Sequence, residues 1–288
     1  MKLNEIHIRD PYVLVDDNKY YLYGTRADEI GNECSGLDVY VSEDLENWSK
    51  PIEVFTKPAD FWADRNFWAP EVHRYDGNYY MFVTFQSETR KRGVQILKAN
   101  SSEGPFLVHS DGPVTPEEWS CLDGTLYIEN DVPYMIFCHE WTQVGDGEMC
   151  AVELTADLKN SSGKPFLLFK ASEPDWACGL HREEKYITDG PFIHKMPDGK
   201  IIMLWSTFSD DYYCEGIAYS DNNSIFGKWL HEDRLLFDKD GGHGMIFKDL
   251  NKKLKFVCHK PNQGPFERPC FFEVIEKANS LYLKEKKQ

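Results

Sequence analysis

A block that recurs five times restricts this chain to a small set of architectures. The first copy runs from Asp10-Pro11-Tyr12-Val13 to Lys19-Tyr20-Tyr21-Leu22-Tyr23. The second runs from Ala69-Pro70-Glu71-Val72 to Asn78-Tyr79-Tyr80-Met81-Phe82, and the third from Asp123-Gly124-Thr125-Leu126 to Val132-Pro133-Tyr134-Met135-Ile136. The fourth leads from Asp189-Gly190-Pro191-Phe192 to Lys200-Ile201-Ile202-Met203-Leu204, and the fifth from His243-Gly244-Met245-Ile246 to Lys253-Leu254-Lys255-Phe256-Val257. Short apolar runs repeating every roughly 50–70 residues indicate a propeller or a solenoid.

Each copy has the same internal order. A short apolar strand is followed by a turn such as Asp17-Asn18, Asp76-Gly77, Asn130-Asp131 or Asp198-Gly199. These residues tolerate the positive φ that tight hairpins need. An aromatic and aliphatic strand returns, a third alternates, and an outer strand carries Trp48, Phe106, Phe166 or Trp229. The pattern predicts an all-β chain, a five-bladed β-propeller with about four antiparallel strands per blade. One domain over 1–288 accommodates it, and no segment sustains a helical period.

The net charge of −16 argues against a nucleic-acid partner, because phosphates are bound by Lys and Arg. No run of apolar residues is long enough for a membrane span. The first residues lack the apolar stretch of a signal peptide, so a cytoplasmic location is expected. The eight cysteines form no C-x-x-C pair and are expected to be free thiols.

In a propeller, the starts of the first strands and the ends of the second strands share one face and converge on the channel mouth. The starts are read as Asp10, Glu71, Asp123, Asp189 and His243. The ends include Phe85-Gln86, His139-Glu140-Trp141 and His259-Lys260. Carboxylates gathered in one cleft push one another's pKa values apart, which separates an acid from a base. Paired carboxylates with aromatic walls suit glycosidic bond hydrolysis.

These residues carry a resemblance. Arg9-Asp10-Pro11, Phe67-Trp68-Ala69-Pro70-Glu71-Val72, Leu122-Asp123-Gly124, Thr188-Asp189-Gly190-Pro191-Phe192 and Gly242-His243-Gly244 resemble, in order, the blade signatures of glycoside hydrolase family 43. The resemblance implies a five-bladed enzyme that cleaves arabinosides, xylosides or some galactosides with inversion. The expected substrate is an oligosaccharide from which terminal pentose-type or galactosyl residues are released. It implies Asp10 as general base and Asp123 as the residue that tunes the acid's pKa. The family's acid is a Glu in a Glu-Gly-Pro motif, whereas this chain has Asp189-Gly190-Pro191. Asp189 is therefore the expected acid, with Glu140 the alternative and Glu183 and Glu184 weaker ones.

Trp68 resembles a sugar-stacking aromatic. Glu71, Phe85, Glu140, Trp141 and Arg268 complete the expected substrate-binding set. His243 occupies the place of a hub histidine that contacts water or a calcium ion, although no cofactor is required. Arg90-Lys91-Arg92 reads as a solvated basic run. Three alternatives stay open at this stage: a mannoside phosphorylase, a fructan-type hydrolase, and a carbohydrate-binding propeller without catalysis.

Overall fold

Asp17 and Asn18, Asp76 and Gly77, and Asn130 and Asp131 all have positive φ, so the predicted tight hairpins form and each first strand pairs with the next. A computed structural model describes residues 1–29 and 33–284. Blade one comprises β1 (Ile8–Asp16), β2 (Lys19–Arg26), β3 (Gly36–Ser42) and β4 (Ile52–Thr56). Blade two comprises β5 (Arg65–Tyr75), β6 (Asn78–Gln86), β7 (Gly93–Ala99) and β8 (Leu107–Val108). Blade three comprises β9 (Cys121–Glu129), β10 (Val132–His139), β11 (Glu148–Leu154) and β12 (Ser161–Lys170), with a one-turn helix α1 (Trp141–Val144) after β10. Blade four comprises β13 (Asp189–Lys195), β14 (Ile201–Ser209), β15 (Tyr212–Ser220) and β16 (Trp229–His231). Blade five comprises β17 (Gly242–Lys248), β18 (Leu254–Lys260), β19 (Arg268–Lys277) and β20 (Ser280–Leu283). Every blade is an antiparallel meander, and together they form the five-bladed β-propeller.

Aromatic side chains fill the space between blades. Phe55, Phe61, Phe67 and Phe85 pack edge-on between blades one and two, with Phe67 and Phe85 centroids 4.7 Å apart. Such pairs add about 0.5–1.5 kcal/mol beyond the area they bury. Phe85 is fully buried in this cluster, so it does not line the cleft as the sequence suggested.

Blade five is built wholly from the C-terminal part of the chain, so side chains rather than an exchanged strand join it to blade one. Trp48 stacks on Phe271 at 6.1 Å. Arg268 Nε donates to Asn4 O (3.0 Å), and Arg268 Nη2 lies 2.8 Å from His7 Nε2. Arg268 thus fastens the N-terminal segment to blade five and is not part of the site. This corrects its expected substrate-binding role.

The inner strands share one irregularity, which sets the geometry of the channel mouth. In each blade, two residues of the first strand face one residue of the second. They are residues 10–11, 69–70, 123–124, 190–191 and 243–244. The first residue of each bulge has positive φ: Asp10 (53°), Ala69 (46°), Asp123 (56°), Gly190 (55°) and His243 (50°). The second is Pro or Gly, which suits a bulge where the ladder needs no N–H. A bulge bends the strand and re-aims its side chains.

This register corrects two alignments. Asp189 lies one residue before its bulge and corresponds to Arg9, not to Asp10. Glu71 lies two residues beyond Ala69. It pairs with His73 inside the ring (Oε2 to Nε2, 3.0 Å) and does not border the cavity.

Candidate active site

Two tiers of side chains surround a cavity of about 220 Å³ at the channel mouth. Arg9, Trp68, Leu122 and Asp189 come from the position before each bulge. Asp10, Asp123 and His243 come from the bulge itself. Arg92, Glu140, Trp141 and Ile187 complete the wall. The fold therefore brings Asp10, Asp123, Asp189, Glu140, Trp68, Trp141 and His243 together. Glu183 and Glu184, the weaker acid candidates, are both exposed, and Glu183 pairs with Lys185 at 2.6 Å.

The bulges are tied to one another across the seams between blades. The side chain opposite the pre-bulge residue is Thr25, Thr84, Cys138, Ser206 or His259. Thr25 Oγ1 accepts the Ala69 N–H (2.8 Å), and Thr84 Oγ1 accepts that of Asp123 (2.9 Å). Ser206 Oγ accepts from His243 N (2.7 Å), and His259 Nδ1 from Asp10 N (3.3 Å). At the remaining seam the seat holds Cys138, a poor acceptor. There the Gly190 N–H goes to Asp123 Oδ2 (3.0 Å). Gly190 is required at this point, since a Cβ would lie 2.7 Å from the His243 ring.

Asp10 is held in its ionised form. Burial alone would raise its pKa, but Arg9, His243 and His259 overcome that and hold it well below the usual carboxylate range. Arg9 Nε donates to Oδ1 (3.1 Å), His243 Nδ1 lies 3.1 Å from the same oxygen, and the Thr25 hydroxyl donates to Oδ2 (2.6 Å). Arg9 is steadied in turn by Glu267, whose Oε1 is 3.9 Å from Nη1. The guanidinium expected from Arg268 is thus supplied by Arg9.

The other two aspartates are pushed the opposite way. Burial raises Asp123 to about 8 against the pull of His243, with Asp189 and Asp10 adding to the rise. Burial also raises Asp189, whose Oδ2 accepts the Tyr213 hydroxyl (2.9 Å). Charge on Asp189 opposes charge on Asp123, so the two carboxyl groups resist ionising together. Burial works against charge on His243, but Asp10 and Asp123 raise it to about 10. His243 is therefore an imidazolium bridging the carboxylates, with Nδ1 3.8 Å from Asp123 Oδ2. His259 is lowered to about 3 by burial and by Arg9, which matches its acceptor role. Among the described residues no three His, Cys, Asp or Glu side chains are arranged to hold a metal.

Glu140 is committed elsewhere. Its Oε1 pairs with Arg92 Nη1, and its Oε2 accepts the Ser120 hydroxyl (2.8 Å). Arg92, read as part of a solvated run, is in the cavity wall with its guanidinium 5.0 Å over the Trp68 ring. The sequence reading also missed Tyr213, which lies on a third strand and carries no motif. Arg9 was legible as the residue before Asp10-Pro11, and Arg92 gave no signal beyond its charge.

One carboxyl group held ionised and two pushed toward the protonated form, on one cavity at a propeller hub, are what glycosidic bond hydrolysis requires. The chain belongs to the glycosyl hydrolases family 43, whose model matches residues 4–273. It is 40% identical to the crystal structure of an endo-arabinase from Bacteroides thetaiotaomicron, covering 96% of this chain and 98% of that one, with a TM-score of 0.89. It is 26% identical to an extracellular endo-α-(1→5)-L-arabinanase from Bacillus subtilis, over 83% of this chain and 72% of the relative. It is 24% identical to an extracellular exo-α-(1→5)-L-arabinofuranosidase from Streptomyces chartreusis, over 54% of this chain and 47% of the relative. Relatives named as extracellular give the expected cytoplasmic location no support. No helix of the described residues is long and apolar enough to cross a membrane. Among the described residues the eight cysteines form no disulfide with one another.

Proposed function

We propose that this glycosidase hydrolyses α-linked L-arabinofuranosyl chains by a single inverting displacement. The observation that carries the mechanism is the opposite displacement of two carboxyl groups on one cavity: Asp10 downward and Asp189 upward. Asp10 accepts a proton from water, whose oxygen forms the new bond to the anomeric carbon. The bond from that carbon to the glycosidic oxygen breaks, and this oxygen takes the proton of Asp189. Asp123 and Asp189 repel each other when both are charged, so ionisation of either one favours the proton on the other. The arabinofuranosyl preference rests on the 40% identical endo-arabinase and on the arabinan-degrading relatives.

Glu140 is a poor candidate for the acid because both its oxygens are engaged. A phosphorylase would need an uncommitted cationic site, and Arg9 and Arg92 both face carboxylates. We assign no step to a metal. A calcium ion near His243 would need donors other than Nδ1, which faces Asp10.

The test is digestion of linear α-1,5-arabinan followed by proton NMR. Initial release of the inverted anomer supports the mechanism, and initial release of the retained anomer overturns it. Early oligosaccharides would mean internal cleavage, as in the endo-acting relatives. Arabinose alone would mean the terminal attack expected from the sequence. Activity confined to xylosides or galactosides would overturn the substrate reading.

A further inference from the structure

The cavity contains a second charged assembly that takes no part in the proton transfers. Arg92, just before β7, and Glu140, just after β10, pair across the seam between blades two and three. Both are fixed from behind. Glu140 is only 4% exposed; besides the Ser120 hydroxyl on Oε2, its backbone N–H donates to Ser120 O (2.8 Å). Arg92 Nε donates to Gln86 Oε1 (3.1 Å), an oxygen that also accepts from Asn66 Nδ2 (2.5 Å). The ring of Trp68 lies under the guanidinium.

These bonds use Nε and one Nη1 hydrogen of Arg92, so Nη2 keeps its hydrogens free of protein partners among the described residues. Each Glu140 oxygen carries one bond and retains a further lone pair. Rigid donors and acceptors on a cavity wall, left unpaired by the protein, suit a ligand with adjacent hydroxyl groups.

We infer that the Arg92–Glu140 pair, backed by Trp68, is the element that reads ring hydroxyls of the bound sugar and so determines specificity for a polyhydroxy pentose. The inference rests on the arabinofuranosyl reading above. It gives the pair a binding role and leaves the acid and base at Asp189 and Asp10. Discrimination arises because a sugar lacking the hydroxyl leaves buried polar groups unpaired, which a polar site penalises far more than a lost apolar contact.

The test compares wild type with Glu140→Gln and Arg92→Met on three 4-nitrophenyl α-L-arabinofuranosides: the parent, the 2-deoxy and the 3-deoxy glycoside. Glu140→Gln keeps the shape of the wall; Arg92→Lys replaces Arg92→Met if the latter does not fold. On the parent, kcat/KM should fall about 10–100-fold, the scale of one hydrogen bond to a charged group. On one deoxy glycoside most of that penalty should vanish, because the hydroxyl being read is already missing. The limbs of the pH–rate profile should stay in place, and 2,4-dinitrophenyl leaving groups should not rescue the variants. An equal loss on all three glycosides would overturn the inference, as would a shifted alkaline limb with rescue by dinitrophenyl, which would make Glu140 the acid. A wild type inactive on every arabinofuranoside would instead overturn the substrate reading beneath it.

Discussion

Blades one and three each place an aspartate at the first residue of the inner-strand bulge, with nearly the same positive φ. Yet Asp10 is held well below the carboxylate range and Asp123 is raised to about 8. Both are buried, so desolvation does not distinguish them. Their neighbours do. The residue before the bulge is Arg9 in blade one and Leu122 in blade three. The residue opposite is Thr25 in blade one and Cys138 in blade three. Asp10 therefore receives a guanidinium and a hydroxyl from the seats that give Asp123 a leucine and a thiol. A repeated backbone frame makes two equivalent carboxylates, and two side-chain changes assign them different charge states.

The largest expected effect removes the ionised member. Asp10→Asn should lower kcat on every glycoside by about 10²–10⁴-fold, the usual worth of a positioned base. Near-normal turnover of the mutant would end its assignment as the base. Asp189→Asn should cost a similar factor, but only where the leaving group is poor. Dinitrophenyl glycosides, whose leaving group needs no proton, should be largely spared. An equal loss on good and poor leaving groups would move the acid role elsewhere.

Asp123→Asn removes a carboxyl group whose ionisation opposes that of Asp189, so Asp189 should release its proton at lower pH. The alkaline limb of kcat/KM should shift downward by about one unit or more. A higher KM with an unchanged profile would make Asp123 a substrate contact instead.

The smallest effects come from exchanging the seats themselves. Thr25→Cys takes the hydroxyl from Asp10 and should raise its pKa by about one unit, the worth of a hydrogen bond to a charged group. Activity at pH 4 relative to pH 6 should then drop below that of wild type. Cys138→Thr should do the reverse for Asp123. Its folded pKa of about 8 lies above the ordinary 3.8, so the folded state retains a proton that the unfolded chain releases between those values. Stability contributed by this group therefore declines as pH rises through that window. The Tm of Cys138→Thr should decline less steeply between about pH 4 and 8. An unchanged slope would show that the hydroxyl seat does not control Asp123.

The fold was legible because a repeat with hairpin turns in register leaves few architectures open, and the turn residues have the positive φ they were chosen for. The aspartates that line the cavity were legible by family motif. The misplacements came from aligning the copies on their acidic residues. Aligning them on Pro11, Pro70, Gly124, Pro191 and Gly244 gives the observed register and separates Asp189 from Asp10. That signal lay in the sequence. Phe85 was misjudged because the end of a strand fixes a residue's height on the propeller and not the direction of its side chain, and Arg268 because its charge does not say which partner it reaches. One enters the seam between blades, and the other turns back to the N-terminal segment.

The sequence by itself determined the five blades, their hairpins and the ring of aspartates, since these depend on local turn chemistry and on period. Only the tertiary structure decided which carboxylate is charged. Arg9 comes from the same strand as Asp10, but His243 and His259 arrive from blade five, and Tyr213 reaches Asp189 from the outer part of its own blade. Arg92 and Glu140 meet across another seam. A pKa is set by burial and by charges a few ångströms away, and in a closed ring those charges come from positions far apart in the chain.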